Sequence, residues 1–209
     1  MLRTIFKIFF SLVFLVAGYL AYGYYYYQKG EYHDLGVKYK STDYNNALQN
    51  KLKVEIKDKN ELFYGAKIKG QGEQKKEEFF TNEEVTALVN FTNESKGSIK
   101  NFQIRFMGNN DFEAAFHYSE LKYRLFVPVY IKASLAYAGS NTVYFKFNEI
   151  YLGDFDLPKF LRERVANNFN LYINNTIGSM DVFEIEKLEI NKDSVLFKGL
   201  LPTKIEGYE

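Results

Sequence analysis

Cysteine is absent from the 209 residues, and its absence excludes disulfides, thiolate catalysis and cysteine-type zinc sites together. It also removes the residue on which a lipoprotein anchor would be built. Three prolines are too few for a proline-rich linker or stalk. The two histidines, His33 and His117, lie far apart, and His117 falls on the polar side of its strand, where a surface or hydrogen-bonded role is expected. No Gly-x-Ser-x-Gly, His-Glu-x-x-His or phosphate-binding glycine loop occurs. Charge of one sign is lacking as well, with 27 Lys and Arg against 26 Asp and Glu. Setting aside Arg3 and Lys7 leaves 25 bases against 26 acids, a near-neutral remainder with no general field for nucleic acid.

What the chain has in quantity is apolar and aromatic side chains: 46% hydrophobic residues, with 20 Phe and 18 Tyr. That is enough for a core without disulfides. Part of it is concentrated at the start, in the run from Ile8 to Ala21, which with its flanks approaches the roughly 20 residues that cross a bilayer. Arg3 and Lys7 precede the run, and Tyr22 and Tyr24 to Tyr27 follow it, so the expected topology is N-terminus inside with the bulk outside. A signal-anchor over residues 1–29 is the first reading; Ala21-Tyr22-Gly23 leaves cleavage as the alternative.

Gln28 to Tyr39 is charged and aperiodic and reads as a tether, within a juxtamembrane segment, 30–79, that either precedes the domain or joins it. Ser41-Thr42-Asp43 opens a short helix through Leu52. Thr81 and Glu84 have capping-box spacing, and Val85, Leu88 and Val89 form one apolar helix face. Phe102, Ile104 and Phe106, the turn Gly108 to Asp111, then Phe112, Ala114, Phe116 and Tyr118 spell a hairpin. A longer strand follows, with Leu125, Val127, Val129, Ile131, Ala133, Leu135 and Tyr137 on one parity, and Pro128 marking an edge or a bulge. Val143, Phe145 and Phe147 give the next strand. Asp156 and Pro158 signal helix entry, and apolar positions recur through Leu161, Val165, Phe169, Tyr172, Ile173 and Ile177. Phe183, Ile185, Leu188 and Ile190 switch parity midway, which predicts a β-bulge before the last strand, Val195 to Gly199.

The order of elements predicts an α+β domain over 80–209, with an antiparallel sheet and helices on one face. Three segments resemble the LmeA-like and YpmS-like bacterial envelope proteins of the TULIP (tubular lipid-binding) superfamily: Phe80 to Asn90, Ile99 to Ala115, and the stretch carrying Gly153, Leu157-Pro158 and Lys198-Gly199. The resemblance implies a TULIP-like fold, a curved antiparallel sheet packed around a long amphipathic helix. It also implies an apolar groove between the two that holds a phospholipid or similar membrane lipid. Its lining would be Leu161, Val165, Phe169 and Tyr172 from the helix and Phe145, Phe147, Val129, Ile131 and Leu135 from the sheet.

The expected function is a single-pass, extracytoplasmic lipid-binding or lipid-shuttling protein without cofactor, metal or catalytic residues. The alternative is a membrane-tethered interaction module with a closed core, since alternating strands and a striped helix describe a packed interior equally well. An enzyme using Glu149 or Asp154 is the distant third, because Asp156 reads as a helix cap and Asp154 as a turn residue. Arg162 and Arg164 read as surface residues or headgroup contacts. Asn90, Asn93 and Asn174 match the glycosylation pattern, which an asparagine-rich chain produces by chance.

Overall fold

The hairpin that alternation predicts forms the start of a five-stranded antiparallel sheet. In the computed structural model, which describes residues 30–57, 67–93, 97–120, 125–139, 141–180 and 182–208, β4 (Ile99–Gly108) and β5 (Asp111–Glu120) pair across the Asn109-Asn110 turn. Both asparagines take positive φ, 54° and 63°, which Asn tolerates better than other side chains. The long β6 (Leu125–Gly139), β7 (Thr142–Leu152) and the two-residue β8 (Phe155–Asp156) complete the order β4-β5-β6-β7-β8.

Parity assigns the two faces. Phe102, Ile104, Phe106, Phe112, Ala114, Phe116, Val129, Ile131, Ala133, Leu135 and, beyond a register shift at Asn148, Ile150 and Leu152 point inward. Pro128 lies in a central strand, not at an edge. It is tolerated because β7 leaves the ladder there: Val129 pairs with Leu152, and the next contact is Gly153 N–H donating to the Pro128 carbonyl at 2.7 Å.

A second sheet, β3 (Gln74–Thr81), β10 (Ser194–Leu201) and β9 (Glu184–Asn191), closes one end of the inner face. The parity switch is a bulge: Lys198 pairs with Lys187 and Gly199 with Ile185, so Glu186 is the extra residue. Gly199 is required there, since a Cβ would stand 1.9 Å from the Glu184 carbonyl oxygen. The largest buried cluster lies between the sheets and includes Phe80, Ile104, Phe106, Leu135, Val143, Ile177, Ile185, Ile190 and Phe197. A third, small sheet joins β1 (Glu55–Ile56), β11 (Lys204–Tyr208) and β2 (Lys67–Gln71).

Three helical segments complete the described residues. Helix α1 (Ser41–Asn45) runs on into a π-helical stretch, Asn46–Leu52, ended by Lys53 in the left-handed region; α2 spans Asn82–Thr92 and α3 spans Lys159–Gly178. The capping box at α2 is present in full, with Thr81 Oγ1 accepting from Glu84 N–H and Glu84 Oε2 accepting from Thr81 N–H. Asp156 does not cap α3: it belongs to β8, and Pro158 at the N-cap makes no side-chain bond.

Two expectations are corrected. The fold is not an α+β sheet packed around a long amphipathic helix. Sheet dominates, at 51%, and the main sheet curls into a half-barrel. Helix α3 runs antiparallel along the edge of β7: Asn170 Oδ1 accepts from Phe145 N–H and its Nδ2 donates to Phe145 O, while Asn174 does the same at Val143. The apolar stripe suggested a helix facing a sheet, but the residues most buried on α3 are Ala166, Asn170 and Ile177. The second correction concerns topology. Among the described residues no helix is long and apolar enough to cross a membrane, so the single-pass transmembrane assignment and the localisation drawn from it are not supported. The run that suggested a signal-anchor, within 1–29, lies outside the described residues.

Candidate functional site

The inner face of the five-stranded sheet divides into two parts. At the end covered by β9 and β10, Ile104, Phe106, Leu135 and Val143 are buried, with Phe102, Phe112 and Phe145 packed against them. Toward the other end stand Phe116, Ile131, Phe147 and Leu152, only half-buried and belonging to none of the buried clusters among the described residues. Val129 and Ile150, directly opposite Leu152 and Ile131, and Val127 one step further along β6 are buried.

The expected lipid-lining residues are spread over both parts. Leu135 and Phe145 belong to the closed core. Val129 is buried between Phe116 and Leu152, and Ile131 and Phe147 are half-buried. From α3, Phe169 packs its ring against Phe145 (5.9 Å) and Phe147 (5.4 Å), bridging the two parts. Leu161 and Tyr172 are half-buried, whereas Val165 is 40% exposed. Sheet and helix thus meet at Phe145, Phe147 and Phe169.

The outer face is different in kind. Gly30 to Lys40, which reads as a tether in sequence, lies across it instead. Leu35 and Val37 bury against Ala115, the Leu35 N–H donates to Gln103 Oε1 at 2.7 Å, and Gln103 Nε2 donates to Asp34 Oδ1 at 3.0 Å. The Tyr32 ring stacks on His117 at 4.8 Å and its hydroxyl donates to Asn101 O; the His33 ring stacks on Tyr130 at 4.6 Å. Aperiodic sequence concealed this strap, although Leu35 and Val37 carry the alternation of a residue pair facing a sheet.

Under the strap, a hollow of about 500 Å³ is lined by Glu31, Tyr32, His33, Asp34, Leu35, Arg105, Glu113 and Tyr130. Glu113 lies at its base. Burial alone would raise its pKa, but hydrogen bonds from Arg105 and Tyr130 and the Arg105 charge outweigh burial and lower it. Arg105 Nε lies 3.1 Å from Glu113 Oε2, and the Tyr130 hydroxyl donates to Oε1 at 2.9 Å. The same bond to a carboxylate, added to burial, raises the Tyr130 pKa. With both carboxylate oxygens occupied, Glu113 is an ion-pair partner and not a poised base. No family model, curated protein or solved structure matches the chain.

The carboxylates considered for acid–base chemistry do not converge either. Glu149 faces Lys132 on the outer side at 3.9 Å, Asp154 sits in the turn after Gly153, and Asp156 lies 3.9 Å from Arg162. Arg162 also donates to Asn148 O, which fixes it to the sheet. No group of three metal-ligating side chains occurs among the described residues. The asparagines of the glycosylation pattern are structural: Asn90 Nδ2 donates to Thr86 O and Phe102 O, Asn93 Nδ2 to Val89 O, and Asn174 Nδ2 to Val143 O and Asn170 O.

Proposed function

We propose that the half-buried part of the inner face binds an apolar ligand of the acyl-lipid class. The observation that carries this reading is the patch of Phe116, Ile131, Phe147 and Leu152, bulky apolar side chains on a curled sheet that no buried cluster among the described residues absorbs. Each methylene of an acyl chain buried there contributes about 0.8 kcal/mol, so a chain of ordinary length binds without a charged contact. The proposed contact set keeps Ile131 and Phe147 from the expected lining and adds Phe116 and Leu152, which register places beside them.

Mass spectrometry of an organic extract of the purified full-length protein tests this directly. An acyl lipid at near-equimolar amount is expected, and Ile131→Asp with Phe147→Asp should reduce it at least tenfold while circular dichroism stays unchanged. An extract without lipid, from protein that also fails to take up a fluorescent fatty acid, would overturn the proposal.

The competing reading is an interaction module with a closed core. It draws on Phe160 and Leu171, 66% and 62% exposed and three turns apart on α3. That reading predicts no extractable lipid and a stable complex with a protein partner that Phe160→Ser and Leu171→Ser abolish.

A further inference from the structure

His117 sits under the Tyr32 attachment of the strap. Its ring lies between Tyr32 of the strap, at 4.8 Å and 16° from parallel, and Phe126 of β6, at 4.3 Å and 13°. Its Nδ1 is 3.3 Å from Asn101 Nδ2, so in the neutral ring this nitrogen accepts a hydrogen bond. Asn101 is also the residue whose carbonyl accepts from the Tyr32 hydroxyl at 2.7 Å. It has φ 52° beside the register shift of β4, a geometry that presents carbonyl and side chain together. One imidazole therefore supports both attachments of Tyr32: the stack directly and the hydrogen bond through Asn101.

We propose that residues 31–37 form a pH-sensitive strap, latched by the neutral His117 ring between Tyr32 and Phe126 and released when that imidazole takes a proton. Protonation turns Nδ1 into a donor aimed at the Asn101 amide donor, so the bond that sets Asn101 is lost. Among the described residues no carboxylate is hydrogen-bonded or ion-paired to the ring. From β4 the groups around the ring are Asn101 and Lys100, which is paired opposite His117 and has its ammonium on Asn93 O at 2.7 Å. From β6 they are Phe126 and Pro128, and from the strap the Tyr32 hydroxyl. Tyr32, raised to about 12 chiefly by burial, remains a donor throughout the range. The acids of the strap are Glu31, beside Tyr32 at the rim of the hollow, and Asp34, which is bonded to Gly36 N–H and Gln103 and is held below the ordinary carboxylate range.

The direction of the linkage follows from burial, which pushes the His117 pKa below its ordinary 6.5. The strapped state therefore binds fewer protons than the released one. Its advantage is complete above the ordinary value and declines as pH falls through it, until the strapped ring itself protonates. Release uncovers the Arg105–Glu113–Tyr130 cluster and opens the hollow above it.

Amide hydrogen exchange on the full-length protein reads the strap through the Leu35 N–H. After correction for intrinsic exchange, its protection should fall severalfold from about pH 8 to about pH 5, while amides of β5 and β6 hold theirs. His117→Phe keeps a ring in the stack without the titration and should make Leu35 protection independent of pH; His33→Gln should leave the fall in place. A wild-type strap equally protected at both pH values would overturn the proposal, as would a fall that survives His117→Phe. Should His117→Phe not fold, titration of the His117 ring in the wild type serves instead. Its midpoint must coincide with that of the Leu35 change, and a separation between them refutes the latch.

Discussion

The two free edges of the main sheet are closed by the same device in unequal strength. On β4, helix α2 presents Asn82, Thr86 and Asn90, whose side-chain oxygens accept from the N–H groups of Phe106, Ile104 and Phe102. On β7, helix α3 presents Asn170 and Asn174 to Phe145 and Val143. Both helices run antiparallel to their strands, and the spacing explains why the pattern repeats. Four helical residues advance about 6 Å and two strand residues about 6.6 Å, so every fourth helix position meets every second strand position. Each amide stands where the peptide group of a further strand would be, and it closes an edge that would otherwise accept one.

The difference lies in what anchors each helix. The first turn of α2 is fixed by Glu84, only 4% exposed, which accepts from Thr81 N–H, Asn46 Nδ2 and Lys51 Nζ. The first turn of α3 has neither a capping side chain nor an acid, and Lys159 stands there instead. A short helix with a capped start and three rungs thus faces a long one with an open start and two. Edge closure depends on rungs and caps, not on helix length.

Glu84→Ala should be the most damaging change. It leaves Lys51 and two further donors without their acceptor, at about 3 kcal/mol, the lower end of the range for breaking a buried pair because Lys51 is partly solvated. Urea denaturation would register it, and a loss below about 1 kcal/mol would show that the cap does not distinguish the two edges. Asn170→Ala comes next. It removes the partner of both the N–H and the C=O of Phe145 beneath a buried side chain, and with water entering the vacated space it should cost about 1–3 kcal/mol in all. Asn174→Ala removes the same pair of bonds at Val143 from a half-buried site and should cost less than Asn170→Ala. Equal losses would refute the assignment of the difference to water access. The smallest effect is at Lys159→Glu: a negative charge at the open start of α3 is favoured by the helix dipole, but it also turns the Lys159–Glu163 contact at 3.9 Å into a like-charge pair, so the net change should stay within about 0.5 kcal/mol and shrink further as salt is added.

Much of the sheet is legible in the sequence. Alternation marks β4, β5, β6 and β7, the parity switch marks the bulge at Glu186, and Thr81 with Glu84 marks the start of α2. The edge helices are not legible in the same way, because hydrophobic periodicity treats polar residues as solvent-facing. Asn82, Thr86 and Asn90, or Asn170 and Asn174, carry the signal as polar residues at four-residue spacing, which an apolar-stripe search discards. This is why α3 reads as a helix cradled by the sheet and turns out to lie along its edge. For the candidate site, alternation identifies Ile131 and Phe147 as inward-facing, but only the packing of β9 and β10 separates them from Leu135 and Phe145. The strap lacks period and cap alike, and its attachment rests on ring stacking between residues far apart in sequence.

Two asparagines outside the edge helices respond differently to chemical ageing. Asn110 and Asn141, both at positive φ in turns, use Oδ1 to accept from the Ile190 and Ile185 N–H groups of β9. Hydrolysis of either amide to a carboxylate keeps that acceptor. The same conversion at Asn90, Asn170 or Asn174 destroys a donor and sets a negative charge against a backbone carbonyl. Loss of ammonia is therefore tolerated where the two sheets are joined and opens the main sheet at its edges.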